Sequence, residues 1–312
     1  MAKIIDRMTY RERSEVRFVS GGEAKGGLGQ ISPSAADEET PPPGVDITKP
    51  HVARMYDYYL GGTNNYAADR EAAERYLTLF RQAREGARAN RRFLIDAVRR
   101  LIEEAGIRQF IDIGSGLPTQ QNVHEVAQKL TPDARVVYVD NDPLVRLHAE
   151  TLLAGDPNTA FIEGDLRDPQ AILNHPALTG LVDLSRPVGL LLLAVLHFIE
   201  DLDAARACVR TLCDRLPSGS YLVLSHSHAE RRAEADMGRD VYRSSNSTFT
   251  MRAEAEIARF FEGLTLVEPG LVPIVRYEIG DDGADAGDAG PVAGAADEAV
   301  IGIIGGIARI DH

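Results

Sequence analysis

Three carboxylates and a glycine turn carry the strongest chemical signal in this chain. The run Phe110-Ile111-Asp112-Ile113-Gly114-Ser115-Gly116-Leu117-Pro118-Thr119 reads as a buried strand, a tight turn and a helix start. At the carboxyl edge of a parallel sheet, such a turn lets a ligand approach the backbone. Asp140 closes the next strand, 28 residues after Asp112. A carboxylate there can accept both hydroxyls of a ribose. Asp165, in Gly164-Asp165-Leu166-Arg167-Asp168, follows the third strand. It can accept from an adenine amino group while Leu166 packs on the ring. Three acids at the ends of consecutive strands describe a nucleoside site. The alternative is a plain strand–helix turn with ordinary loop acids.

The turn departs from the dinucleotide fingerprint. Thr119 stands where the third glycine would allow close helix–strand packing. Asp112, just before the turn, suits a cationic group such as an amino-acid ammonium. That favours S-adenosylmethionine over NAD.

Other residues surround this signal. Tyr56-Asp57-Tyr58-Tyr59-Leu60-Gly61-Gly62-Thr63-Asn64-Asn65-Tyr66 is rich in aromatics, glycines and amides. Such a run suits a lid, because tyrosine faces attract a cationic centre; packing of the first helix is the competing reading. His197 follows the fourth strand and could take a proton from a hydroxyl or amine, or simply bond a loop backbone. His226 and His228 alternate along the fifth strand and share a face. They could ligate a metal, but no third ligand is evident, so no metal is expected and the pair is expected to border the acceptor pocket. Arg91 and Arg92 open the third helix and read as a solvated face or as partners of an acidic acceptor.

The elements that must position these groups follow from periodicity. Helices are expected from Thr48 as N-cap to Leu60, from Asn65 to Glu85 and from Ala89 to Glu104. Beyond residue 108 strands alternate with helices. Strands are expected at 109–113, 135–139, 159–163, 188–194, 221–225, 264–268 and 300–309. Helices are expected at 120–130, 143–153, from Pro169, at 201–216 and at 252–261. This order predicts an α/β fold, a doubly wound and mostly parallel sheet. Residues 1–46, with five glycines between Gly21 and Gly29 and a proline-rich stretch after them, are expected to be disordered or loosely docked. Residues 47–107 form a helical cap or lid, and 108–312 the ligand-binding domain. Its segment 278–299 reads as a flexible acidic loop.

Composition narrows the function. With 34 Lys+Arg against 47 Asp+Glu, the net charge is −13, which argues against a nucleic-acid-binding role. No apolar stretch has membrane-spanning length. Cys208 and Cys213 are too few for a disulfide framework, and a cytoplasmic setting is expected. The acid is uneven: Glu278 to Val300 carries −7, whereas residues 51–108 carry +3. An anionic small molecule therefore remains open as a ligand.

At this level the chain resembles a known family. The strand–Asp–Gly-x-Gly run, Asp140 and Asp165 look like S-adenosylmethionine-dependent Rossmann-like methyltransferases. More narrowly, Lys49 to Gly62, Asn64 to Arg70, Asp112 to His124, Val137 to Pro143, Leu192 to Phe198, Leu216 to His226 and Leu264 to Pro273 resemble the actinobacterial S-adenosyl methyltransferase family, formerly a domain of unknown function. The resemblance implies a seven-stranded sheet of order 3-2-1-4-5-7-6 with the last strand antiparallel. It implies S-adenosyl-L-methionine as cofactor and S-adenosyl-L-homocysteine as product, but not the acceptor, for which a small molecule is expected. Asp112, Gly114, Ser115 and Gly116 would line the methionine end. Asp140 would hold the ribose, and Asn141, Asp165 and Leu166 the adenine. Tyr56 and Gly62 would complete the cofactor site, with Tyr58 as lid and His197 as general base. The readings set against this are an NAD-dependent oxidoreductase and a non-catalytic nucleoside-binding protein on the same fold.

Overall fold

The structure, a computed structural model, describes residues 41, 45–118, 121–276 and 302–311. The expectation for 278–299 lies outside the described residues, as does almost all of that for 1–46.

Eight strands form one sheet: β1 (Gln109–Ile113), β2 (Arg135–Asp140), β3 (Thr159–Glu163), β4 (Gly189–Leu193), β5 (Tyr221–His228), β6 (Thr265–Leu266), β7 (Val272–Pro273) and β8 (Gly302–Arg309). Their order is β3-β2-β1-β4-β5-β8-β6, with β7 also paired to β8. The seven expected strands thus take the expected order. Strands β1 to β5 are parallel, and β8 runs antiparallel to β5, pairing Tyr221 with Arg309 through to His228 with Gly302. The sequence shows no sign of β7, since two residues carry no periodicity.

β1 and β4 are buried along their whole length. Helices cover both faces, so every side chain of a central parallel strand meets a core, and the strands read as unbroken apolar runs. One core joins Ile111, Val137, Leu190 and Leu222 to the helix Leu202–Cys213. The opposite core joins Phe110, Val136, Leu191 and Val223 to a long helix of the N-terminal half.

That half begins with α1 (Val52–Leu60), α2 (Ala67–Leu79) and α3 (Ala83–Glu103). α1 starts later than expected. Lys49 precedes Pro50, which disfavours helical backbone there. Thr48 instead bonds Asp46 through its N–H and hydroxyl, at 2.9 and 2.6 Å, and His51 takes the N-cap position. The expected second helix breaks at Phe80, whose backbone is non-helical, and α3 starts at Ala83. α3 serves two roles. Ala87, Asn90, Arg91 and Leu94 face a cavity, while Phe93, Ala97, Val98 and Leu101 pack on the sheet. Phe93 seats on Gly305 of β8, where a Cβ would come within 3.1 Å of its ring.

The remaining helices are α4 (Val123–Leu130), α5 (Pro143–Leu152), α6 (Pro169–Leu173), α7 (Pro176–Leu181), α8 (Leu202–Cys213), α9 (Arg232–Tyr242) and α10 (Glu254–Ala258). α5, α6 and α8 have aspartate N-caps (Asp142, Asp168, Asp201) that accept backbone N–H groups. α7 and α9 were not expected. α7 is six residues long, and α9 carries Gly238 amid charges that thin its apolar stripe. Among the described residues, no helix is long and apolar enough to cross a membrane.

Candidate active site

The turn after β1 builds a cradle. Gly114 has φ +75°, and its N–H and that of Ser115 donate to Val139 O at 2.8 and 3.2 Å. A Cβ on Gly114 would collide with Val195, so only glycine fits. Gly116, at φ +65°, faces open space and donates its N–H to Asp140 Oδ2 at 2.8 Å. Asp140 Oδ1 accepts the Asp142 N–H at 3.0 Å. Each oxygen of Asp140 is fixed by one backbone donor and keeps further acceptor capacity. Burial pushes the Asp140 carboxyl above its ordinary range, against the pull of those donors.

A cavity of about 530 Å³ opens over this cradle. Asp112, Gly114, Ser115, Gly116, Asp140, Asn141, Asp165 and Leu166 all line it, so the structure gathers these eight expected residues at one site. Asp112 is 5% exposed, and burial pushes its carboxyl up to about 7, with Arg91 opposing and Asp140 adding to the shift. Asp165 is held by Arg167, whose Nε lies 2.9 and 3.0 Å from its two oxygens, and this contact lowers its pKa. His51 Nδ1 lies 2.8 Å from Asp142 Oδ2, tying the start of α1 to the loop after β2. Burial raises Asp142, but His51, the Leu144 N–H and Arg54 together outweigh it and draw the carboxyl below its usual range.

The expected lid residues divide. Tyr56 lines the cavity; its hydroxyl donates to Ala87 O at 3.2 Å and accepts from Asn90 Nδ2 at 3.0 Å. Tyr59 lines it too, 3.3 Å from the Tyr242 hydroxyl. Tyr58 does not. Two positions along a helix turn it by about 200° from Tyr56, and its hydroxyl donates to Glu74 at 2.5 Å beneath the Arg84 guanidinium. Gly62 does not line the cavity either. Its missing Cβ leaves room for the Asp57 carboxylate, which accepts from Asn64 N and Asn65 Nδ2 at 2.9 Å each.

His197 lines the cavity at 4% exposure. Its Nδ1 accepts the Ser227 N–H at 3.4 Å, which puts the ring proton on Nε2. Burial, then the neighbouring His226 and Arg252, holds its pKa well below the ordinary value. The histidine pair on β5 faces away from this space: Ser227, between them, lines the cavity, and neither His226 nor His228 does. His226 Nε2 accepts from Arg252 at 2.8 Å, and burial with that cation pushes its pKa down to about 3. A guanidinium at the ring nitrogen is incompatible with a metal there. Among the described residues, no group of three His, Cys, Asp or Glu side chains could hold a metal ion.

Several cavity residues escaped the sequence reading: His51, Asn90, Arg167, Tyr76 and Phe249. Of the pair Arg91 and Arg92, only Arg91 lines the cavity while Arg92 is exposed. The stripe Ala87, Arg91, Leu94 has helical spacing and marks the inward face. Asn90 ties two walls together. Its Oδ1 accepts the Ser225 hydroxyl at 2.6 Å, and the Ser225 oxygen accepts the Ala194 N–H at 3.0 Å. That bond holds Ala194 at φ +52° where β4 meets the cavity.

The profile of one family, described as S-adenosyl methyltransferase, matches residues 38–311. The chain belongs to this family. It is similar to a DUF574-family protein from Streptomyces avermitilis, at 42% identity over 85% of this chain and 98% of that one, with a TM-score of 0.74. It is also similar to a candidate methyltransferase from Thermobifida fusca, at 40% identity over 88% of this chain and 100% of that one, with a TM-score of 0.76. No curated protein matches the chain at a significant level. Membership decides between methyl transfer and hydride transfer: this is an S-adenosylmethionine-dependent methyltransferase. The residues present fit that cofactor. The methyltransferase offers a glycine cradle, a doubly anchored carboxylate, and a buried carboxyl beside a guanidinium for a zwitterionic amino acid.

Proposed function

We propose that the methyltransferase modifies a small-molecule acceptor inside the cavity over the β1 and β4 ends. The observation that carries this reading is the shape of that cavity. It is continuous from Asp140 and Asp165 to a chamber walled by Tyr59, Tyr76, Phe80, Tyr242 and Phe249, each 7% exposed or less. Such enclosure suits a small molecule better than a polymer surface. The buried free thiols of Cys208 and Cys213 accord with a reducing, cytoplasmic setting.

S-adenosylmethionine supplies an electrophilic methyl group on a positively charged sulfur. In our reading the chain positions this group. Asp140 accepts from the ribose hydroxyls. Asn141, Asp165 and Leu166 surround the adenine. Asp112 takes the ammonium and Arg91 the carboxylate of the methionine end. His197 stays neutral and turns its Nε2–H to the acceptor, rather than serving as a strong base, because burial and then the neighbouring His226 and Arg252 disfavour its cation. Since transfer dissipates charge, orientation provides most of the acceleration.

Calorimetric titration with S-adenosylhomocysteine tests the assignment. Arg91→Gln is expected to weaken binding by about 2 kcal/mol, roughly thirtyfold, through loss of a charge-assisted contact. Unchanged affinity removes Arg91 from the site.

The Asp112 carboxyl gives a pH signature. With its pKa raised to about 7, it is substantially protonated just below neutrality, and an ammonium selects the ionised form. Affinity is expected to fall as pH drops from 7 towards 5, and Asp112→Asn should flatten that dependence. In the ligand-free fold the sign reverses. A raised carboxyl pKa favours the folded state below the unfolded value near 4, and that contribution is lost as pH rises through 7. Denaturant titration of Asp112→Asn against the parent checks this slope.

A further inference from the structure

Beyond the cofactor half, the cavity contains an arm of a different chemistry. Phe249 stacks on Tyr242 with ring centroids 4.3 Å apart and planes 16° apart. Tyr76 meets both edge-on, at 5.4 and 5.9 Å. His197 stands edge-on to Phe249 at 5.0 Å. All four line the cavity. They come from three separate places in the chain: α2, the turn after β4, and the stretch from the end of α9 to Phe249.

Two polar atoms in this arm are left for a ligand. Tyr76 is 7% exposed, and among the described residues burial and the neighbouring Tyr242, with no hydrogen bond, act on its hydroxyl. His197 Nε2 has none either, its Nδ1 being the atom bonded within the fold. Neither atom is sealed in the core without a partner, so both open onto the cavity, where a bound molecule can reach them. Among the described residues no charged group acts on the Tyr76 or Tyr242 hydroxyl. The lining carboxylates, Asp112, Asp140, Asp165 and Asp57, belong to the cofactor half. The lining guanidiniums are Arg167 on Asp165, Arg91 beside Asp112, and Arg81, which is solvent-exposed just past Phe80.

We infer that the methyl acceptor is a flat, uncharged aromatic molecule bearing a hydroxyl, its ring held among Tyr76, Tyr242 and Phe249 and its oxygen bonded by His197 Nε2–H and the Tyr76 hydroxyl. This rests on the reading that the cofactor occupies the Asp112–Asp140–Asp165 half. Aromatic rings pair favourably in stacked and edge-on arrangements, which this wall offers to a planar guest. An ionised guest would lose its hydration with no opposite charge to replace it. The mildly basic character of residues 51–108 therefore does not select the acceptor. In the transfer, the methyl–sulfur bond breaks and its electron pair stays on sulfur. A lone pair of the hydroxyl oxygen forms the new carbon–oxygen bond, and the hydroxyl proton passes to water.

The test is binding of 2-naphthol, uncharged at pH 7, and of 2-naphthoate, its anionic counterpart, to the full chain saturated with S-adenosylhomocysteine. The chain has no tryptophan, so naphthol fluorescence is read without interference from indole. 2-Naphthol is expected to bind at least tenfold more tightly than 2-naphthoate. Tyr76→Phe, which removes only the hydroxyl, and Phe249→Leu should each weaken 2-naphthol about five- to tenfold while leaving S-adenosylhomocysteine affinity unchanged. The inference is overturned if S-adenosylhomocysteine binds but 2-naphthol does not, if 2-naphthoate binds as well, or if both variants bind 2-naphthol normally. If S-adenosylhomocysteine itself does not bind, the cofactor reading fails and this inference falls with it.

Discussion

Replacing Asp140 with alanine is expected to weaken S-adenosylhomocysteine binding by about 3 kcal/mol, roughly a hundredfold in Kd. Two effects act together. The carboxylate is the acceptor aimed at the ribose, and charge-assisted hydrogen bonds are the stronger kind. It is also the anchor of the cradle. Gly116 N–H and Asp142 N–H both end on it, at 2.8 and 3.0 Å. Alanine removes the ligand contact and releases the glycine turn that shapes the methionine end. Asp140→Asn keeps one oxygen acceptor and should fall between the two, near tenfold. Titration calorimetry decides the matter: parental affinity in the alanine variant would remove Asp140 from the site.

The largest stability effect is expected at a residue that never touches the cavity. Arg252 is 2% exposed and donates to Leu196 O, Ile199 O and Glu200 O at 3.3, 2.6 and 3.0 Å, and to His226 Nε2. One guanidinium thus ties down the turn after β4 that carries His197. Arg252→Leu leaves Ile199 O, Glu200 O and the His226 nitrogen without their donor, while Leu196 O keeps the Ile199 N–H at 3.1 Å. At about 1–3 kcal/mol for each buried group left unsatisfied, with partial rescue by water, a loss of about 3–5 kcal/mol is expected. The melting temperature should drop by roughly 10 °C. Arg252→Lys keeps the charge but not the planar fork, so it should recover only part. A melting temperature within a degree or two of the parent in the leucine variant would show that the turn holds itself.

The sheet was readable because its physics is one-dimensional. Apolar runs such as Phe110 to Ile113 and Gly189 to Leu193, each closed by a turn, mark buried parallel strands wherever they lie. The acids at their carboxyl ends inherit their place from the strands, which is why Asp112, Asp140 and Asp165 converge as read. What failed to transfer was direction. Alternation puts His226 and His228 on one face of β5 without saying which. The cavity lies on the face of Ser227. In α1, composition made Tyr56, Tyr58 and Tyr59 look equivalent, although helical geometry already separates Tyr58. Arg91 and Arg92 form a similar case, resolved by the apolar neighbours of Arg91 on its own stripe. The aromatic arm was least legible. Tyr242 and Phe249 lie in a stretch dominated by charge, and their contact with Tyr76 is set by tertiary packing that no local pattern encodes.

The long helix α3 has a bearing on how ligands come and go. Its first half forms part of the cavity wall, and its second half is buried against β1, β4 and β8 through Phe93, Val98 and Leu101. A 21-residue rod rooted in the central core cannot swing aside without unpacking that core. The roof therefore has a fixed beam. α1 and α2, by contrast, are joined to the beam by the short link at Phe80, Arg81 and Gln82. All three residues of that link line the cavity, so a turn of α1 and α2 about it would reshape the cavity wall. Product escape would then depend on a link whose Phe80 ring lies 4.5 Å from Tyr76, in the wall of the acceptor chamber itself.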